Sequence, residues 1–229
     1  MATYVLVHGA YQGGWIWKPV VTRLRNAGHA VYAPTLDGCA ERSHQLRAGI
    51  TVSTHAQEIA GLLFYEDLRD VVLVGTSSGG MVIQKASETV RDRIARLVFV
   101  DALALLPGER VDAIVKRPAP NKMGDLATGP SREDAENRMF KNLEPSLRAW
   151  VVDRITPHPV AALEAPMVAT TFWDQTWSAS VIRCTQAVNP PETHQRRTAE
   201  KLGGSYHELD TGHYPMLSAP DELVKLLIA

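Results

Sequence analysis

The sequence predicts an α/β protein built on a mostly parallel, six-stranded sheet flanked by helices, and three observations carry that expectation. Short β-rich apolar runs alternate with longer helical patterns over the first hundred residues, the mark of strand and helix units feeding a sheet covered on both faces. A chain of 229 residues, 45% hydrophobic and 21% charged, holds enough apolar surface for one full core without a disulfide or a structural metal. After the fourth strand the alternation is interrupted by a proline-rich stretch, 103–178, and then resumes.

Taken in order, strands are expected at 4–7, 30–32, 71–74, 97–100, 181–184 and 206–209, each a short run rich in Val, Leu, Ile or Tyr. Helices are expected at 19–26, where Gly28 ends the pattern, at 54–66, where Thr54 and Gln57 offer a capping box, at 78–89, and at 220–228. The interrupting stretch carries Pro107, Pro118, Pro120, Pro130, Pro145 and Pro157 among short amphipathic segments such as 132–141 and 145–153. It is too short to fold alone, so the expected organisation is a core of 1–102 and 179–229 with a small helical cap, 103–178, resting on the sheet.

Composition excludes several classes. Lys and Arg number 24 against 25 Asp and Glu, with no run of five like charges, so nucleic acid and anionic membranes are not expected partners. Cys39 and Cys184 are the only cysteines and form no metal-ligand spacing, which argues against a disulfide framework and a zinc site; no cofactor is expected. Met1 runs directly into the first strand without a basic leader, and the longest apolar stretch, 97–106, is broken by Asp101 well short of the ~20 residues a bilayer needs. A cytoplasmic protein is the expectation, and a homodimer stays open.

The chemistry is concentrated in three places. Gly75-Thr76-Ser77-Ser78-Gly79 is a Gly-x-Ser-x-Gly run that follows a strand and opens a helix, the context of a nucleophile elbow. A strand turning that sharply into a helix strains the serine and brings chain segments so close that glycines are needed at 75 and 79. Ser77 would stand at a helix N-terminus, where developing negative charge is favoured. The backbone N–H of Ser78 is then one oxyanion donor, and Ala10, in the glycine-rich loop 8–15 after the first strand, supplies the second by position. His8 reads as a structural histidine holding that loop. The third place is Gly212-His213-Tyr214, in a loop between the last strand and the closing helix.

His-Gly-Ala with Gly-Gly-Trp near the start, Gly-Thr-Ser-Ser-Gly in the middle and Gly-His near the end make the chain resemble the α/β-hydrolase superfamily over essentially its whole length. More narrowly it resembles the branch of plant methyl-ester esterases, hydroxynitrile lyases and their bacterial relatives. The resemblance implies a nucleophile at Ser77, a general base at His213 and an oxyanion hole at Ala10 and Ser78. It also implies an aspartate after the penultimate strand, where this chain has Ala187. Some members of the superfamily place the acid after the preceding strand, and Asp101 stands there; Glu192 and Asp210 are the competing carboxylates.

Aromatic residues of the cap and loops, Trp150, Trp173, Trp177, Tyr11 and Tyr214, are the expected walls of a narrow, mostly apolar pocket. With no basic cluster beside the motifs, an anionic substrate is not expected. The implied activity is a serine esterase acting on a small, largely apolar ester through an acyl-enzyme. A carbamate or amide hydrolase and a lactonase would use the same parts. A hydroxynitrile lyase is disfavoured because Tyr214 stands where such lyases carry lysine, and a hydrolase-shaped ligand receptor is the non-enzymatic alternative.

Overall fold

Strand β1 (Thr3–Val7) divides its side chains between two cores, Val5 and Val7 entering one and Tyr4 and Leu6 the other. The computed structural model in which this is seen describes residues 1–116 and 121–229, so Pro118 and Pro120 lie outside the described residues. The same alternation recurs in β3 (Val71–Ser77) and β4 (Ile94–Ala102), where Leu73, Leu97 and Phe99 face the first core and Val74, Val98 and Val100 the second. A sheet buried on both sides requires such strands. With β2 (Ala30–Tyr32), β8 (Ala179–Cys184) and β9 (Ser205–Leu209) they form a six-stranded sheet in the order β2-β1-β3-β4-β8-β9, every pair parallel.

Helix α1 (Lys18–Asn26) and the closing helix Pro220–Ile228 bury Val20, Leu24, Leu223 and Leu227 in the second core. Helices α2 (Val52–Tyr65) and α3 (Gly79–Ser87), with the helix Glu192–Leu202, cover the first. Helix α2 starts earlier than expected. Its cap is Thr51, whose hydroxyl accepts from the Thr54 amide while the Thr54 hydroxyl accepts from the Thr51 amide, a reciprocal box that replaces the expected pairing of Thr54 with Gln57. Because all six strands run the same way, the loops carrying Ala10, Ser77 and His213 leave the sheet at one edge, its carboxyl end.

The segment between β4 and β8 is not purely helical. It includes the helix Pro145–Val152, a π-helical turn at Ala135–Met139, and a small antiparallel sheet of β5 (Asn121–Met123), β6 (Ala127–Gly129) and β7 (His158–Pro159). Proline cannot donate to a ladder, and Pro159 confines β7 to two residues. The segment packs into both cores, through Phe140 and Val151 on one side and Phe172 and Trp177 on the other. Thr156 fastens it to the loops that follow β1 and β2: its amide donates to the Tyr11 carbonyl at 3.0 Å and its hydroxyl accepts from the Ala40 amide at 2.8 Å.

Candidate active site

Ser77 is the last residue of β3 and adopts φ +52, a left-handed conformation for a side chain that pays about 1–3 kcal/mol to hold it. The fold enforces it by crowding. A Cβ at Gly75 would stand 2.7 Å from the Gly79 carbonyl oxygen, and one at Gly79 would stand 2.6 Å from the His8 carbonyl oxygen. The N-terminus of α3 is thus pressed against β3 and the loop after β1, and Ser77 is extruded at the joint. The same loop abuts the serine, since a Cβ at Gly9 would meet the Ser77 Cβ at 2.7 Å.

His8 fixes that loop. Its Nε2 accepts from the Leu36 amide at 3.0 Å, which leaves Nδ1 to donate to the Gly9 carbonyl at 2.8 Å. Burial pushes this histidine down to about 4, so it serves as a neutral strut and not as a base. Ala10 and Ser78 are both buried beside Ser77.

Asp101 owes its position to a β-bulge. Thr76 pairs with Val100 but Ser77 pairs with Ala102, so Asp101 is the extra residue of β4, and it takes φ +45. The bulge leaves its carboxylate fully buried and ringed by donors. Oδ1 accepts from the Cys184 amide at 3.0 Å and from Gln195 Nε2 at 2.7 Å, and Oδ2 meets His213 Nδ1 at 2.5 Å. The His213 ring is thereby oriented with its Nε2 edge turned away from Asp101. The other carboxylates are elsewhere. Glu192 is ion-paired to Arg183 and Arg196 at the surface, and Asp210 accepts from Thr185 Oγ1 and Gln186 Nε2.

Ala10, Ser77, Ser78 and His213 line one cavity of about 290 Å³. Its walls are apolar, with Met139, Phe140, Leu143, Leu163 and Pro190 contributing. Its mouth is marked by lining residues that are themselves exposed, Lys116, Lys141, Asn142 and Val188. A cysteine–histidine pair lies apart from this cavity: Cys39 Sγ is 3.4 Å from His158 Nδ1. Burial pushes that thiol up to about 12, and the pair lies outside the cavity lining, which separates it from this chemistry.

A family model described as the alpha/beta hydrolase family matches residues 4–226. The chain belongs to this family. Among relatives of the hydrolase, a carbendazim hydrolyzing esterase of a Nocardioides species is 29% identical over 100% of this chain and 99% of that protein. Methylesterase 7 of Arabidopsis thaliana is 25% identical over 98% of this chain and 94% of its own. An extracellular alpha/beta-hydrolase from a Paenibacillus species superposes with a TM-score of 0.88 over 100% of this chain and 98% of its own, at 23% identity. No helix among the described residues of the hydrolase is long and apolar enough to cross a membrane.

Of the aromatic walls expected for the hydrolase, Tyr11 and Tyr214 line the cavity, but Trp150, Trp173 and Trp177 do not. Trp150 stands edge-on to Trp15 at 5.4 Å beneath the Arg154 guanidinium. Trp173 donates its indole N–H to the Leu105 carbonyl, and Trp177 stacks on Phe172 at 5.2 Å and donates to its carbonyl. Each indole has instead found a polar partner or a ring face in the packing around the segment. One further expectation changes, and one residue of the site carried no signal in the sequence. Basic residues do stand beside the site, because Lys116, Arg138 and Lys141 reach it from outside the motifs, and Gln195 holds Asp101 from a helix with no motif of its own. The His194–Gln195 dipeptide lies on the buried face of Glu192–Leu202, a position legible only as amphipathic helix.

Proposed function

We propose that this hydrolase is a serine esterase acting on a small carboxylic ester through an acyl-enzyme on Ser77. The observation that carries the reading is the shared cavity of a strained serine and a histidine whose far nitrogen is held by a buried carboxylate at 2.5 Å. In this mechanism the Ser77 hydroxyl attacks the ester carbonyl carbon while its proton passes to His213 Nε2. The tetrahedral oxyanion is held by the backbone N–H groups of Ala10 and Ser78. The C–O bond to the alcohol breaks, and the alcohol leaves with the proton from His213. Water, deprotonated by the same imidazole, then attacks the acyl carbon and restores Ser77. Asp101 keeps the ring oriented and stabilises it when it carries two protons.

A carbamate is the second reading, favoured by the full-length similarity to a carbendazim hydrolyzing esterase. The oxyanion donors and base do not distinguish the two leaving groups, so cavity shape decides. The buried cysteines Cys39 and Cys184, neither in a disulfide, fit a reducing compartment such as the cytoplasm. The test is a panel of alkyl and aryl esters, a methyl carbamate, a lactone and a cyanohydrin, assayed with wild type and Ser77→Ala. Turnover of the esters that is lost in Ser77→Ala supports the reading. Full activity of Ser77→Ala on every active substrate removes the serine mechanism, and acylation of Ser77 without release identifies a receptor.

A further inference from the structure

Every charged residue that lines the cavity among the described residues is positive: Lys116, Arg138 and Lys141, with no aspartate or glutamate. The chain as a whole has slightly more acidic than basic residues, 25 against 24, so this is a local segregation of charge. Two separated segments bring the cations together, and both are pinned. The Lys116 amide donates to Asn189 Oδ1 at 3.1 Å, and Asn189 Nδ2 donates back to the Lys116 carbonyl at 3.0 Å. The Lys141 carbonyl accepts from Arg148 at 3.3 Å, and its neighbour Asn142 packs against Gly212, the residue before His213.

The three cations are not equivalent. Arg138 is held in a two-point ion pair by Asp134, at 2.5 and 2.6 Å, which offsets much of its charge. Lys116 and Lys141 have no carboxylate partner among the described residues, and both are exposed at the mouth. The lining they share with Ser77 is largely apolar, with Leu103, Val111, Val115 and Leu143 among its residues. The cavity therefore combines the Ser77 hydroxyl, apolar lining and two exposed ammonium groups that attract negative charge.

Resting on the esterase reading, we infer that the preferred substrate is a half-ester. It carries a second, ionised carboxylate, separated from the scissile ester by a short apolar chain. The chain lies against the apolar lining, and the carboxylate faces Lys116 and Lys141. Exposed lysines act as point charges in a wet environment, so their contribution appears in capture of the substrate and is weakened by salt. The chemistry at Ser77 is the same for a neutral ester, so discrimination lies in kcat/KM.

The test compares monoethyl adipate with ethyl hexanoate, two ethyl esters of equal acyl length, on the intact enzyme. At low salt the half-ester is expected to be favoured about tenfold in kcat/KM, and the ratio shrinks as salt is raised to about 0.5 M. In Lys116→Glu/Lys141→Glu the ratio falls to one or below, and in Lys116→Gln/Lys141→Gln it lies between. Lys225→Glu, on the closing helix, keeps the wild-type ratio. Equal kcat/KM for the two esters in wild type, or a preference untouched by salt and by both double variants, overturns the inference while the esterase reading stands. If neither ester is turned over by wild type and none of the other test esters is either, the esterase reading falls and takes this inference with it.

Discussion

Gln195 Nε2 donates to Asp101 Oδ1 at 2.7 Å, so a residue of the Glu192–Leu202 helix holds the carboxylate that in turn meets His213. The bond is fully buried, and water cannot replace the donor without entering the core. Gln195→Leu is expected to lower kcat roughly tenfold, corresponding to about 1.5 kcal/mol, with little change in KM. Gln195→Glu should be worse still, because it sets a second carboxylate against the first. Steady-state kinetics on an unactivated ethyl ester checks this, and a KM effect without a kcat effect would remove Gln195 from its positioning role.

Asp101→Asn removes the acceptor that fixes the His213 tautomer, and kcat should fall by about 10²–10⁴, the scale known for such a change in proteases. Glu192→Gln and Asp210→Asn, whose side chains bond elsewhere, should leave kcat nearly unchanged. Equal and small losses in all three variants would take Asp101 out of the site.

Two glycines give opposite outcomes with the same substitution. In Gly79→Ala the new methyl would meet the His8 and Val7 carbonyl oxygens at 2.6 and 2.7 Å, and backbone cannot step aside cheaply. A loss of about 1–3 kcal/mol is expected, with activity falling further because Ser77 shifts. Gly61, inside α2, has nothing within 4 Å of its Cβ position, so Gly61→Ala should gain about 0.5–1 kcal/mol and leave activity alone. Urea unfolding midpoints read both.

Acid should weaken the fold before it protonates most carboxylates. His8 and His194 are both pushed from 6.5 down to about 4, chiefly by burial, and His194 Nε2 accepts from the Ala104 amide. Between those values the unfolded chain binds protons that the folded chain refuses, so stability is full above about 6.5 and falls as pH is lowered toward about 4. The slope is at most about 1.4 kcal/mol per pH unit for each histidine. Urea titrations at several pH values should show His194→Asn with a visibly shallower dependence; an unchanged slope would mean that His194 is charged in the folded state.

The strands and the elbow were readable because each rests on local rules: β-branched alternation for β1, β3 and β4, and steric crowding for Gly75-Thr76-Ser77-Ser78-Gly79. The contact of Asp101 with His213 was open to inference only as chain order, since the bulge that turns the carboxylate arises from the mismatch of β3 against β4. Thr51 and Thr54 compete as caps because two threonines three apart can each cap the other, and the sequence does not say which comes first. The cavity walls were least legible. Tryptophans pack wherever their faces and N–H groups are best matched, and residues as distant as Lys116 and Lys141 meet only in three dimensions.

The double hold on Thr156 bears on traffic through this enzyme. Raising residues 155–159 would pull the Tyr11 carbonyl with them and disturb the loop that carries Ala10. That flank therefore behaves as a fixed jamb. Lys116, Lys141 and Val188 are the exposed part of the cavity lining, and bulk added there should slow exchange of reactants and products while the bond-making groups stay in register.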